Sequence, residues 1–247
     1  MHTEERAAST FATLDLRGAV DVTIKRGDTT RLVVVAATAK DAARVITRQR
    51  AGHLEIESMG TRAANSVVIT TARGRTVIAG GGSIAVGGDV VIHHARSVFG
   101  GPVTVVCAGD IHNDTKGDTV RLAGAAPRVE LTVPTVPTIR ATGAGDVLVE
   151  DAQQESLQVV LFGSGDIRLT GKVGILALGL KGSGDIDAEE LDAKGATIML
   201  QGSGDIRANV SEKVSIELSG SGDITIAGNP PRRDTCIRSS GDVSFQG

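Results

Sequence analysis

Apolar and polar residues alternate with a period of two along most of residues 157–226. In the stretch "LQVVLFGSGDIRLT", Leu157, Val159 and Leu161 precede a Gly-Ser-Gly-Asp corner, and Ile167 and Leu169 follow it in the same parity. Alternation of this kind is typical of a strand with one buried face. Each unit is therefore predicted to be a strand, a corner and a second strand.

The same unit recurs along the C-terminal half of the chain. One GAGD, four copies of GSGD and one SSGD follow one another, and the intervals between their aspartates are 20, 19, 20, 18 and 19 residues. A unit of this length cannot bury an apolar face alone, whereas stacked units place equivalent residues above one another at the ~4.8 Å spacing of neighbouring strands. The predicted fold is all-β, a β-solenoid with coils of about 19 residues. The six aspartates are Asp146, Asp166, Asp185, Asp205, Asp223 and Asp242.

Glycines occupy the first and third positions of the GAGD corner and of the four GSGD corners. Both positions lie on the inward parity of a tight turn, where a Cβ would crowd the solenoid axis and where a positive φ is a further reason for glycine. The serine and the aspartate of each corner then point outward. We predict a structural role for Gly163, Gly165, Gly182, Gly184, Gly202, Gly204, Gly220 and Gly222.

The outward aspartates form a row in which neighbouring carboxylates lie ~5 Å apart and repel by about 1 kcal/mol in bulk water. One hypothesis is that each carboxylate accepts hydrogen bonds from backbone N–H groups of its own turn. Another is that calcium ions bridge successive carboxylates and corner carbonyls. No other cofactor is predicted. The candidate metal ladder consists of Asp166, Asp185, Asp205 and Asp223.

Side chains of opposite charge two residues past the aspartates are expected to compensate part of this repulsion. On three successive coils this position holds Arg168, Asp187 and Arg207, a plus, minus, plus column on the outer face. Opposite charges on adjacent strands stabilise their pairing. We therefore predict that these three residues form an ion ladder.

The N-terminal residues alternate without the corner motif. Strands are predicted at "FATLDLRG", "VDVTIKRG", "TRLVVVAA" and "HLEIES". The segment "TAKDAARVITRQR", with Thr38 as a cap candidate, predicts one short helix that stops near Gly52. We expect three parts: residues 1–58 as a β layer with a short helix that caps the solenoid, residues 59–127 as an irregular segment of degenerate coils, and residues 128–247 as the regular solenoid.

Composition narrows the classes of partner. Lys and Arg number 26 against 29 Asp and Glu, a net charge of -3, and no basic run could follow a phosphate backbone. Four Phe and no Tyr or Trp leave few platforms for stacking on bases or sugars. Nucleic acid is therefore not an expected partner. Cys107 and Cys236 are isolated and indicate neither a zinc site nor a disulfide framework.

The sequence also bears on the compartment. No apolar run reaches the ~18 residues that a membrane-spanning helix needs, so no transmembrane segment is expected. The start "MHTEERAAST" lacks the basic and apolar regions of a signal peptide. A cytoplasmic protein is the expectation from these residues, and the alternative is an extracytoplasmic protein whose export signal has been removed.

The repeated G-[SA]-G-D-[IV] motif resembles the bacterial family named putative auto-transporter adhesin, head GIN domain. The resemblance extends over "FATLDLRGAVDVTIKRGD", "GHLEIE", "VELTVPTVPTIRATGAGDV", the four GSGD copies and "GNPPRRDTCIRSSGDVSFQG". It implies a right-handed parallel β-helix, and members of the family are often predicted to be exported or attached to the cell envelope. It brings no catalytic residues. The segment between residues 59 and 127 departs from the family pattern.

Three functions follow from these patterns. The leading hypothesis is a non-enzymatic structural or binding scaffold, adhesin-like by resemblance, for a protein or surface partner. The first alternative is a solenoid that self-assembles into oligomers or filaments through its open ends. In the last coil, however, Arg233, Thr235 and Ile237 replace inward apolar residues, which indicates a cap and favours monomers or small homo-oligomers. The second alternative is a polysaccharide-acting β-helix enzyme that uses the aspartate row.

Overall fold

The structure, a computed structural model, describes residues 2–36, 38–58, 127–238 and 240–246 in full, and the secondary structure of strands between residues 68 and 113. The chain divides into two compact units. The first combines Met1–Gly60 with Ala126–Gly247, and the second is Thr61–Ala125. Each unit is described by itself below.

The first unit contains a β-solenoid of about five turns, so the predicted all-β solenoid fold is confirmed. The N-terminal elements are β1 His2–Arg6, β2 Thr13–Gly18, β3 Asp21–Arg26, β4 Arg31–Ala36, α1 Ala39–Ala42, β5 Val45–Arg50 and β6 His53–Ser58. The second unit contains β7 Val68–Ala72, β8 Arg75–Ala79, β9 Ser83–Val86, β10 Val90–Ile92, β11 Arg96–Ser97, β12 Thr104–Cys107 and β13 Ile111–Asn113. The first unit resumes with β14 Arg128–Val133, β15 Thr138–Gly143, β16 Val147–Gly163, β17 Ile167–Gly182, β18 Ile186–Gly202, β19 Ile206–Gly220, β20 Ile224–Ala227, β21 Arg232–Ile237 and β22 Val243–Gln246.

Four long strands, β16 to β19, form the regular part of the solenoid. They pair in parallel and in register, so that Gly163, Gly182, Gly202 and Gly220 are direct partners from coil to coil. Each strand bends at irregularities in the register and covers more than one side of the coil. The alternating sequence explains the pairing, because a shift of one residue would turn the buried aliphatic residues of a strand to the outer face.

The core consists of stacked aliphatic side chains. One column comprises Leu161, Leu180, Leu200 and Leu218, each at most 2% exposed. Complete burial of such a side chain contributes roughly 1.5–3 kcal/mol. Among the described residues, no polar or charged residue is buried. The core therefore depends on aliphatic burial between coils.

The N-terminal strands join the same sheet as the solenoid. β2 pairs in parallel with β15, and β3 pairs in parallel with β14 and β16. β4 and β1 continue beyond β14 as antiparallel strands, while β6 and β5 continue beyond β2. The expectation that residues 1–58 form a cap, and the division of the chain into three parts, stay predictions.

The predicted helix is shorter than its sequence pattern indicated. Thr38 is its N-cap, and the Thr38 side chain accepts a hydrogen bond from the backbone N–H of Asp41. The helix α1 ends at Ala42, and the following residues form β5, which pairs antiparallel with β6. The β-branched residues that open β5, together with the hydrogen bonds offered by β6, outweigh the helical pattern of this segment.

In the second unit, several parallel strand pairs join residues whose separation in the sequence is about the length of one coil. Val90 of β10 pairs with Ile111 of β13, and Ser83 of β9 pairs with Thr104 of β12, residues 21 positions apart in both cases. β8 also pairs in parallel with β11 and antiparallel with β7. The degenerate coils predicted for residues 59–127 stay a prediction, because most of this segment lies outside the residues described in full.

Among the described residues, no helix has the length and apolar character needed to cross a membrane.

Candidate functional site

The glycines at the corners permit the coils to lie close together. A Cβ on Gly163, whose φ is 149°, would lie 1.9 Å from the carbonyl oxygen of Gly143 in the preceding coil. A Cβ on Gly165 would lie 2.0 Å from the carbonyl oxygen of Gly145. The remaining corner glycines meet the same obstacle at 1.9 to 2.1 Å, namely Gly182, Gly184, Gly202, Gly204, Gly220 and Gly222. The group that excludes a side chain is thus the backbone of the adjacent coil, whereas the sequence pattern suggested crowding at the solenoid axis.

Each corner aspartate binds the backbone of the next coil. Oδ1 of Asp166 accepts a hydrogen bond from the N–H of Asp185 at 3.1 Å, and Oδ1 of Asp185 accepts one from the N–H of Asp205 at 2.8 Å. The pattern runs from Asp21 through Asp146, Asp166, Asp185, Asp205 and Asp223 to the N–H of Asp242. The sequence suggested donors in the aspartate's own turn, and these donors lie one coil further on.

A second hydrogen bond completes each link of this aspartate ladder. The backbone N–H of Ile186, next to Asp185, donates to the backbone carbonyl of Asp205 at 2.9 Å. Asp185 and Ile186 therefore together satisfy the N–H and the carbonyl of Asp205: the Asp185 side chain accepts from the N–H, and the Ile186 N–H donates to the carbonyl. Hydrogen bonds to a charged group contribute roughly 1.5–3 kcal/mol, which exceeds the repulsion of about 1 kcal/mol between exposed neighbouring carboxylates.

The candidate calcium ladder uses the same carboxylates. Oδ1 of Asp166, Asp185, Asp205 and Asp223 already accepts a backbone hydrogen bond. Among the residues described, no group of three or more Asp, Glu, His or Cys side chains is arranged to hold a metal ion. Calcium binding along this row stays a prediction.

The residues two positions past the corner aspartates also become neighbours on adjacent coils. Asp187 is the direct register partner of Arg168 on one side and of Arg207 on the other. The guanidinium of Arg168 forms its ion pair with Glu190, and Asp187 accepts a hydrogen bond from the backbone N–H of Glu189 at 3.2 Å. An ion ladder of Arg168, Asp187 and Arg207 stays a prediction.

These two rows line a groove of about 470 Å³ on the outer face, here called the aspartate groove. Leu148 and Thr23 are among its uncharged lining residues. Its charged lining residues are Asp21, Asp146, Asp166, Asp185, Asp187, Arg168 and Arg207. Five carboxylates thus face two guanidinium groups, and the groove is acidic.

Asp21 is a groove residue that sequence reasoning missed. It starts the aspartate ladder, because its Oδ1 accepts the N–H of Asp146 at 3.1 Å. The stretch "GAVD" at residues 18–21 is a corner in which Val20 replaces the second glycine. The likeness of this stretch to the corner motif could have predicted the position of Asp21 in the row. It was obscured because 125 residues separate Asp21 from Asp146, whereas the other corner aspartates are about 19 residues apart.

Displaced pKa values occur at the outer strands β1 and β4. A hydrogen bond from Arg31, together with its positive charge, lowers the pKa of Glu5, and Glu5 raises the pKa of Arg31 for the same reasons. A hydrogen bond and the charge of Arg6 lower the pKa of Glu4. Both glutamates lie in β1, and neither lines the groove.

The stacked coils and their repeated corner motif place the protein among the β-solenoids. A match to a protein-family model agrees with this assignment. The model described as putative auto-transporter adhesin, head GIN domain, matches residues 10–230. The chain belongs to this family, as the repeated corner motif indicated. The family is adhesin-like, and no curated protein matches the sequence significantly.

Two solved structures share the fold. A putative adhesin from Bacteroides fragilis NCTC 9343 has a TM-score of 0.60 at 18% identity, over 99% of this chain and 96% of that chain. A putative lipid binding protein from Parabacteroides distasonis ATCC 8503 has a TM-score of 0.51 at 16% identity, over 100% of this chain and 96% of that chain. At these identities the likeness shows the fold alone.

Proposed function

We propose that the protein is a non-enzymatic, adhesin-like scaffold that binds a cationic segment of a partner surface in the aspartate groove. The observation that carries this proposal is the charge of the groove, where five carboxylates face two guanidinium groups. Lysine or arginine side chains of a partner complement this charge. Complementary charge guides association and fixes the orientation of the bound surface.

The rigidity of the carboxylates supports a binding role. One oxygen of Asp166 and one of Asp185 are held by the backbone of the next coil, while both residues are exposed to solvent. A partner therefore meets acceptors that are already in position. Groups fixed before binding lose little conformational freedom when the complex forms.

The regularity of the row favours binding over polysaccharide cleavage. Glycoside hydrolysis uses two carboxylates in different environments, one kept protonated as the acid and the other ionised. Asp166 and Asp185 instead each accept a hydrogen bond from the backbone N–H of the aspartate one coil further on, and both are exposed, since they come from equivalent corners. Equivalent surroundings do not separate an acid from a base.

The test is binding of poly-lysine to the full chain, measured by biolayer interferometry at two salt concentrations. The groove variant combines Asp166→Asn, Asp185→Asn and Asp187→Asn, which removes three charges while the amide oxygens still accept the hydrogen bonds. The matched control combines Glu155→Gln, Glu189→Gln and Glu212→Gln, three exposed glutamates outside the groove.

We expect the groove variant to bind poly-lysine at least tenfold more weakly, and the control to change less than threefold. High salt should weaken binding by the unmodified protein, since exposed charges are screened. An equal loss in both variants would assign the binding to net charge and would exclude the groove as the site.

A further inference from the structure

The strand β21, in the most C-terminal coil that the structure describes, has one edge without a described strand partner. β21 pairs with β19 on one side, and among the described residues no strand pairs with its other side. All six of its residues are exposed, including Ile237 at 46%. An unpaired edge offers a row of backbone donors and acceptors to another strand.

The direction of those backbone groups follows from one hydrogen bond. The N–H of Arg238 donates to the carbonyl of Leu218 in β19 at 2.9 Å. Backbone groups alternate between the two sides of a strand, so the even-numbered residues face β19. The N–H and carbonyl groups of Arg233, Thr235 and Ile237 therefore face the open side.

We propose that this edge pairs antiparallel with β21 of a second copy, about a two-fold axis that passes through Cys236. Hydrogen-bonded pairs in such a ladder join two odd-numbered residues, so the axis lies at a residue rather than between two residues. A two-fold contact of this kind uses the same patch on both copies and closes on itself.

Proline and charge together select the register. An axis at Arg233 would place Pro231, which has no N–H to donate, at a hydrogen-bonded position opposite Thr235 of the second copy. An axis at Asp234 would place Asp234 against its own copy, and an axis at Thr235 would place Arg232 against Arg238 of the second copy. An axis at Cys236 places Asp234 opposite Arg238 of the second copy, and the symmetric pair repeats this contact. Arg238 also contacts Glu217 at 3.0 Å, yet its side chain stays 68% exposed and can reach both carboxylates. Opposite charges on facing strands stabilise the pair, and like charges destabilise it.

The same register decides two further contacts. Thr235 and Ile237 of the second copy form a hydrogen-bonded pair, which covers the exposed side chain of Ile237. Cys236 faces its own copy at a non-hydrogen-bonded position, where Cα atoms lie about 4.5 Å apart, within the range of a disulfide. Cys236 is a free, exposed thiol in this structure. A disulfide can therefore report the pairing.

The end of the core explains why a pair forms and a filament does not. The guanidinium of Arg233 lies 4.0 Å from the centre of the Phe245 ring and donates to the carbonyl of Pro230 at 2.9 Å. This stack covers the apolar interior where a further coil would add. A single strand pair buries less than the ~1,200 Å² of a standard interface, so we expect a weak, concentration-dependent dimer.

The test uses the full chain with Cys107→Ser, so that Cys236 is the remaining thiol, under mild oxidation followed by non-reducing electrophoresis. Thr235→Pro removes a donor on the open side and leaves the ladder to β19 intact. A Ser219→Cys variant, made with Cys107→Ser and Cys236→Ser, places a thiol on the exposed face of β19 as the control for random collision.

In a mixing experiment, Asp234→Arg and Arg238→Asp chains of different mass are oxidised together.

We expect a disulfide-linked dimer through Cys236 that forms at least tenfold faster than the Ser219→Cys dimer. Thr235→Pro should abolish this advantage, and the mixture should yield the heterodimer in excess over both homodimers. Equal rates for the two thiols, no effect of Thr235→Pro, or a statistical mixture would each overturn the proposal. Poly-lysine binding is unaffected by these outcomes, so the groove is tested separately.

Discussion

At each corner of the solenoid, an aspartate side chain acts in place of a main-chain carbonyl. The chain turns sharply there, and Oδ1 of Asp185 accepts the N–H of Asp205 that would otherwise lack a strand partner. Successive carboxylates in the row are held in place by the backbone N–H groups of the next coil, as for Asp166, Asp185 and Asp205. The structural role of the aspartate is thus that of an acceptor.

Replacement of Asp185 separates the roles of acceptor and charge. Asp185→Ala removes the partner of the Asp205 N–H and should lower the free energy of unfolding by about 1–3 kcal/mol. Asp185→Asn keeps an acceptor oxygen and should cost less than half as much. Urea unfolding followed by circular dichroism measures both values. Equal losses in the two variants would show that the charge matters and the acceptor does not.

At the scale of the elements, coil contacts decide which glycines are indispensable. A Cβ on Gly184 would lie 2.0 Å from the carbonyl oxygen of Gly165, whereas a Cβ on Gly179 would lie 3.4 Å from the nearest Val160 methyl group. Both glycines belong to the same coil. The first distance is an overlap with backbone that cannot move alone, and the second is an ordinary contact.

Alanine substitutions at these two positions should therefore differ widely. Gly184→Ala should lower the free energy of unfolding by more than about 3 kcal/mol or prevent folding, because the neighbouring coil must shift. Gly179→Ala should stay within about 1 kcal/mol of the unmodified protein, and the reduced freedom of the unfolded chain favours it. Thermal unfolding and soluble yield measure the difference. Similar stability of both variants would contradict the close approach of the coils.

Competition between local pattern and pairing also operates at this scale. The segment after Thr38 has a helical pattern and a good N-cap, yet α1 stops at Ala42 and β5 follows. The reason is that β6 offers a full set of antiparallel hydrogen bonds to Val45–Arg50. Propensity in a short window is a weak preference, and a strand partner overrides it.

At the scale of the whole solenoid, stability is distributed along a stack of nearest-neighbour contacts. The strands β16, β17 and β18 each have partners on both sides, whereas β21 and β22 each have a strand partner on one side among the residues that the structure describes. A repeat with one neighbour has half of the stabilising contacts of an internal repeat. Local opening should therefore begin at the C-terminal end.

Hydrogen exchange of the full chain tests this gradient. We expect amides of β17 and β18 to exchange slowest and those of β21 and β22 to exchange at least a hundredfold faster, because terminal coils open without the rest. Mass spectrometry of peptic peptides resolves these segments. Uniform protection from β16 to β22 would mean that the solenoid opens as one cooperative unit.

The sequence by itself determined the period, the inward parity and the coil register, because every coil repeats the same local chemistry and the corner spacing aligns one coil with the next. It also determined which positions require glycine, since the close approach of the backbone at a corner recurs with every copy of the motif. The tertiary structure alone decided which N–H the aspartates bind, that Asp21 begins their row, and that Glu190 pairs with Arg168. These contacts join residues on different coils or distant segments, and their geometry depends on the height of one coil above another, which a linear pattern does not contain.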